Sequence, residues 1–129
     1  MKKILTICIC LLLYGCSNIN DYSKKELICK TIETTKSNVT EMTTTFTLNK
    51  EGTVIKSCND TQIVYNSKYE AQIGYDAIKN IYENSKLIDN TLNFTTCSTH
   101  IDEKYKNINE LMKYMKTQQI ECKLKDTNE

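Results

Sequence analysis

The sequence predicts an α+β domain: a single antiparallel sheet in the order β-β-β-α-β-α-β, with two helices packed on one face. Three observations lead there. Several stretches rich in threonine, isoleucine and valine alternate apolar and polar residues at a period of two, the pattern of half-buried strands. Two later stretches repeat their apolar residues at three- and four-residue steps behind helix-capping residues. The chain has 129 residues, and the portion beyond its apolar start is enough for one domain with a modest core and too little for two.

That apolar start comes first. Met1-Lys2-Lys3 gives a positive beginning, and Ile4 to Leu13 is a run of about ten residues in which Thr6 is the one polar side chain. The run is too short for a transmembrane helix, which needs roughly 20 apolar residues, and reads as a secretory signal over 1–15. Leu13-Tyr14-Gly15-Cys16 closes it. A small residue followed by cysteine is where a lipoprotein signal peptidase would cut, which makes Cys16 the expected site of lipidation. Two acyl chains on Cys16 suffice for stable anchoring, where one is marginal. Ser17 to Lys25 is polar and reads as a tether, so 16–25 is the expected lipidated N-terminus and spacer, 26–125 the domain, and 126–129 a tail.

From Glu26 the chemistry is that of strands. Leu27, Cys29 and Thr31 fall on one face, with Ile28, Lys30 and Ile32 on the other. Glu33 to Asn38 is a polar turn. Val39 to Leu48 is the clearest strand, its five threonines favouring the extended form and Met42, Thr44, Phe46 and Leu48 sharing a face. Asn49-Lys50-Glu51-Gly52 is a hairpin turn in which Gly52 supplies a positive φ. A second long strand runs from Thr53 to Tyr65, with Asn59-Asp60 marking a bulge or a break.

Ser67-Lys68-Tyr69-Glu70 forms a capping box, and behind it Tyr69, Ile73, Ala77, Ile78, Ile81 and Tyr82 mark a helix to about Ser85, with Tyr69 and Tyr82 on the packed face. Gly74 inside this helix costs roughly 1 kcal/mol against alanine, for which close helix–sheet packing and drift are alternative reasons. Leu92 and Phe94 open another strand, with Cys97 on the face opposite them. A second helix starts at Asn107, with Ile108, Leu111, Met112 and Met115 as its apolar stripe, and Ile120, Cys122 and Leu124 alternate in a short final strand.

Composition narrows the function. There are 17 basic residues against 16 acidic ones, the basic ones are all lysine, and the net charge is +1. Loss of Lys2 and Lys3 with the signal would bring it to about −1, so no basic excess favours nucleic acid. The absence of arginine argues against bidentate recognition of phosphate or carboxylate.

Cysteine usage is more telling. Cys8 and Cys10 would leave with the signal and Cys16 takes the lipid, so Cys29, Cys58, Cys97 and Cys122 remain, an even number in an exported domain. Such a set reads as two disulfides. Of the three pairings, Cys29–Cys122 would tie the opening strand to the closing one, and Cys58–Cys97 would link the strands flanking the main helix. A zinc site built on the four cysteines, or on three of them and His100, is the competing arrangement. It lacks the C-x2–4-C pair usual in structural zinc sites, the successive cysteines lying 29, 39 and 25 residues apart, and no metal or cofactor is expected.

A lipobox-like cysteine, a polar spacer, the early strand Leu27-Ile28-Cys29-Lys30, a threonine-rich hairpin, a capped amphipathic helix and the terminal Ile120-Glu121-Cys122-Lys123 together resemble small bacterial lipoproteins of the YehR-like kind. The resemblance spans most of 26–125 and rests on layout. It implies a lipid-anchored envelope protein without an established activity and assigns no catalytic residue. Tyr14 departs from it, being bulky where a small residue is usual before Gly15.

Catalytic constellations are missing from the sequence. A thiol oxidoreductase calls for C-x-x-C at a helix start, and the mature cysteines hold no such pair. Hydrolase chemistry would fall to His100, the single histidine. On a strand His100 and Cys97 would point to opposite faces, and no glycine elbow surrounds any serine. Asp102-Glu103 reads as a solvated turn, and three glycines form no phosphate-binding loop. The expectation is therefore a monomeric, non-enzymatic lipoprotein on the extracytoplasmic face of the cell membrane. It would be held there by the lipid on Cys16 and bind an envelope protein, a cell-wall polymer or another surface component, with no nucleic acid partner. A passive structural envelope protein is the alternative, and an envelope redox protein a more distant one.

Overall fold

The computed structural model describes residues 21–127. Cys16, the signal segment and the first part of the tether lie outside the described residues. A single 3-10 turn, Tyr22–Lys24, leads into β1 (Lys25–Thr34), followed by β2 (Asn38–Leu48), β3 (Val54–Tyr65), α1 (Lys68–Ile78), β4 (Lys86–Ile88), β5 (Thr91–Ser98), a second 3-10 turn at Glu103–Tyr105, α2 (Ile108–Thr117) and β6 (Glu121–Asp126). The strands form one open antiparallel sheet in the order β4-β5-β3-β2-β1-β6. The α+β class and the single antiparallel sheet are as the alternation implied. The element order differs by one strand, because β4 precedes β5. Lys86-Leu87-Ile88 is too short to register as a periodic segment, and Asp89 at φ 55° turns the chain back into β5.

Directly opposed residues of neighbouring strands share a face, so the register separates two surfaces. Leu27 lies opposite Phe46, Cys29 opposite Thr44 and Cys122, and Leu48 opposite Val54. Leu27, Cys29, Phe46, Leu48 and Val54 meet Ile108 and Leu111 of α2 in one cluster, with Tyr22, Ile101, Tyr105, Met115, Ile120 and Cys122 packed around it. Alternation places Ile63, Tyr65, Leu92 and Phe94 on this same face, and α1 covers that part of it. Ala71 and Leu92 are buried there, Gly74 sits against the Tyr65 ring, and Tyr82 stacks on Phe94 with ring centroids 4.9 Å apart. Both helices therefore lie on one face, over different halves of the sheet. The other face carries no helix among the described residues.

Local chemistry accounts for the boundaries. Ser67 accepts from the Glu70 N–H to start α1, and Asn107 accepts from Asn109 and Glu110 to start α2. Gly52, at φ 87°, closes the β2–β3 turn with its N–H on the Asn49 carbonyl. A Cβ there would also lie 2.8 Å from Ile108 and 3.0 Å from Tyr22.

Several expectations need correction. The irregularity in β3 is at Ile55, not at Asn59-Asp60: Thr47 faces Lys56 and Leu48 faces Val54, leaving Ile55 as the extra residue. The expected tether ends earlier than Lys25, since Tyr22 packs on the core, its N–H bonds the Lys50 carbonyl, and Lys25 opens β1. At the other end, β6 runs to Asp126, whose carboxylate pairs with Lys25 at 3.1 Å. Helix α1 stops at Ile78, and turns carry the chain to Ser85. Its buried side is Ala71, Gly74 and Ile78, so Tyr69, expected to be packed, is 76% exposed and Ile73 is 54% exposed. Small residues won the inner face because α1 lies close on the sheet, and Gly74 is there to admit Tyr65.

Candidate functional site

The helix-free face has no covering layer among the described residues, and the register builds it row by row. Val39, Val64, Thr91 and Ile88 form one transverse row across four strands. The next holds Ile32, Glu41, Gln62, Asn93 and Lys86. Lys30, Thr43, Asp60 and Thr95 come after it, and then Ile28, Thr45, Cys58 and Cys97. Apolar side chains thus gather toward the end of the sheet at the β1–β2 turn, and the disulfide of Cys58 with Cys97 lies farther along.

Between them is a shallow depression of about 250 Å³ lined by Glu41, Thr43, Asp60, Gln62, Asn93 and Thr95. Both of its carboxylates are engaged: Glu41 pairs with Lys30 at 2.9 Å, and Asp60 accepts from the Thr95 hydroxyl at 2.5 Å. Beyond β4, the Asn84 amide takes the place of a missing strand. It donates to the Thr95 carbonyl at 2.9 Å and accepts from the Thr95 N–H at 2.8 Å. This surface offers amides, hydroxyls and paired charges for hydrogen bonding beside an apolar row. It holds no free thiol and no histidine to act as nucleophile or base.

A larger groove, of about 740 Å³, runs between the start of β3 and the β5–α2 connection, lined by Val54, Ile55, His100, Ile101, Asp102, Glu103 and Lys106. His100 stands in a loop after β5, its backbone N–H on the Ser98 hydroxyl, and not on a strand as the sequence suggested. Asp102 caps the 3-10 turn, and Glu103 pairs with Lys106 at 2.7 Å. Cys97 is bonded to Cys58 and Cys29 to Cys122, so no cysteine among the described residues offers a thiolate to His100.

The four domain cysteines form two cross-strand bridges, Cys29–Cys122 between β1 and β6 and Cys58–Cys97 between β3 and β5, with Cα separations of 4.1 and 4.0 Å. Cys29 lies in the core at 2% exposure, whereas Cys97 is exposed on the helix-free face. The two bridges are on opposite faces of the sheet, so the four sulfurs do not converge on one ion, and His100 joins no cluster of three or more metal-ligating side chains among the described residues.

Tyrosine environments differ. Burial under α1 pushes the Tyr65 hydroxyl above its usual range. A hydrogen bond with Tyr114, whose ring is 4.7 Å away, raises that of Tyr105. On α1, Lys79 and Gln72 hydrogen-bond the Asp76 carboxylate and lower its pKa.

Sequence reading did not single out Glu41, Gln62 and Asn93, because their meeting depends on which strands are neighbours. The alternation of each strand did mark them as belonging to a polar side. No protein family, curated protein or solved structure was found to match the chain.

Proposed function

We propose that the protein is a lipid-anchored, non-enzymatic envelope protein that binds another envelope or surface component through its helix-free sheet face. Gly15-Cys16 at the end of the apolar run carries the anchoring half of this reading. The uncovered row of Val39, Val64, Thr91 and Ile88, beside hydrogen-bonding rows, supports the binding half. Five residues separate Cys16 from Tyr22, so the two Cα atoms lie at most about 20 Å apart. Tyr22 is docked beside the β2–β3 turn, which holds that end of the sheet near the bilayer and leaves the apolar row at the far end. Lys123 and Lys125 on the β6 edge oppose edge-to-edge pairing, in keeping with a monomer.

Cys16→Ser should shift the protein from the membrane fraction to a soluble or uncleaved form, read by fractionation and intact mass. Full membrane retention of a cleaved variant would remove the anchoring reading. A photo-crosslinking side chain at Val64 should capture a discrete partner in intact cells, whereas one at the exposed Lys113 of α2 should not. Equal labelling from both positions would leave the passive structural reading in its place.

A further inference from the structure

The two disulfides have the same cross-strand geometry and opposite surroundings. Cys29 is sealed among Leu27, Phe46, Leu48, Ile108 and Leu111, so a thiolate reaches that bridge only when the core opens. Cys58–Cys97 lies on the face that no helix covers. Cys97 is the exposed partner and Cys58 the half-buried one.

Strand placement adds a second difference. β4 covers β5 only as far as Asn93, and the Asn84 amide covers Thr95. Since the Thr95 N–H and C=O point away from β3, alternation turns those of Cys97 to the same outer edge, past the last group that covers it. An incoming chain therefore meets an exposed half-cystine and unpaired backbone at one residue.

We propose that Cys58–Cys97 is a thiol-exchange site: an external dithiol attacks Cys97 Sγ and opens this bridge while Cys29–Cys122 stays closed. In the first step a reductant thiolate forms a bond to Cys97 Sγ, the Cys58–Cys97 S–S bond breaks, and the electron pair leaves on Cys58 as thiolate. In the second, the other reductant thiolate attacks its partner sulfur in the mixed disulfide and releases Cys97 as thiolate. The dithiol becomes a disulfide, and two electrons pass to the protein, with protons from solvent completing the two thiols. Lys56 and Asp60 flank Cys58 on its own strand and face, and Thr45 stands opposite it in the neighbouring strand. The proposal is independent of lipid anchoring, and its test uses no membrane.

The experiment is limited reduction of the oxidised native protein with dithiothreitol, then acid quench, alkylation and peptide mass analysis. Cys58 and Cys97 should become alkylated about tenfold or more faster than Cys29 and Cys122, with circular dichroism unchanged. With limiting glutathione in place of the dithiol, the trapped adduct should sit on Cys97. Opening of both bridges at one rate, or of Cys29–Cys122 first, would overturn the proposal, as would an adduct found mainly on Cys58. Cys29→Ala/Cys122→Ala keeps the test decisive where it folds, because Cys58–Cys97 should open there at its native-protein rate. A marked slowing would count against direct attack.

Discussion

The two halves of the sheet repeat one device, a helix on the same face and a cross-strand disulfide, and put it to different use. Under α2 the device makes a core: Ile108 and Leu111 are each 1% exposed and join five buried sheet residues, including Cys29. Under α1 it makes a thin cover, in which Ala71 and Leu92 are buried and the helix turns Tyr69 and Ile73 outward. The difference arises from side-chain size at the contact. Leu111 and Ile108 fill the space between helix and sheet, whereas Ala71 and Gly74 bring α1 down onto Tyr65 and leave little to bury. Stability is thus concentrated in the α2 half, and the α1 half hangs on β3 and β5.

The sharpest way to break this contrast is to remove one bridge at a time. The bridges close sequence separations of 93 and 39 residues, for which chain entropy predicts about 5 and about 4 kcal/mol, nearly the same stabilisation. Burial ranks them instead. Cys29→Ala/Cys122→Ala also opens a cavity in the core, so it should lose more than the entropic figure, a large share of the roughly 5–15 kcal/mol that holds a small domain. Cys58→Ala/Cys97→Ala should lose about 4 kcal/mol or less. Urea midpoints decide, and equal losses would mean that the core is not where the structure puts it.

Side-chain deletions on the two helices come next in size. Leu111→Ala should cost about 3 kcal/mol, within the roughly 2–5 kcal/mol usual for a fully buried leucine. Ile73→Ala, an equally apolar deletion on the outer side of α1, should change stability by less than about 0.5 kcal/mol. Thermal unfolding of the two variants provides the comparison. A comparable loss at Ile73 would show that α1 packs through its apolar stripe after all.

That outcome bears on what the sequence could convey. The alternation of Leu27 with Cys29 and of Phe46 with Leu48, and the turn at Gly52, were legible because two-residue periodicity and a positive φ are local properties. The capping residues Ser67 and Asn107 likewise located both helix starts. The facing of α1 was not legible. Its larger apolar residues, Tyr69 and Ile73, define a stripe that points to solvent, while the inner side is made of residues whose value is smallness. Strand β4 escaped because three residues carry no period, and the polar rows of the helix-free face escaped because strand order is a tertiary fact. Both cysteine pairs could be argued from which strands open and close the chain or flank a helix, but which bridge is buried could not.

Gly74 and Tyr65 give smaller effects than the bridges or the buried leucine, and the most specific ones. A Cβ at position 74 would run into the Tyr65 hydroxyl and lie 2.8 Å from the ring carbon that bears it. Gly74→Ala should therefore destabilise by about 1–3 kcal/mol through overpacking, against the roughly 1 kcal/mol that alanine otherwise adds to a helix. In the Tyr65→Phe background the first clash is gone, so the same substitution should cost less, and a double-mutant cycle should return a coupling of about 0.5–2 kcal/mol. Titration adds an independent reading. Burial raises the Tyr65 pKa in the folded protein above its unfolded value near 10, so the hydroxyl is harder to ionise folded than unfolded. Its contribution is fully present below about pH 10 and is lost as pH rises from there through the folded-state value, because the unfolded chain ionises first. Tyr65→Phe should flatten that alkaline loss. The Tyr105 hydroxyl, raised by its bond to Tyr114, should keep its own share in the α2 half. If Tyr65→Phe left the alkaline limb unchanged, Tyr65 would not be held beneath α1, and the thin half of the molecule would be looser than its contacts imply.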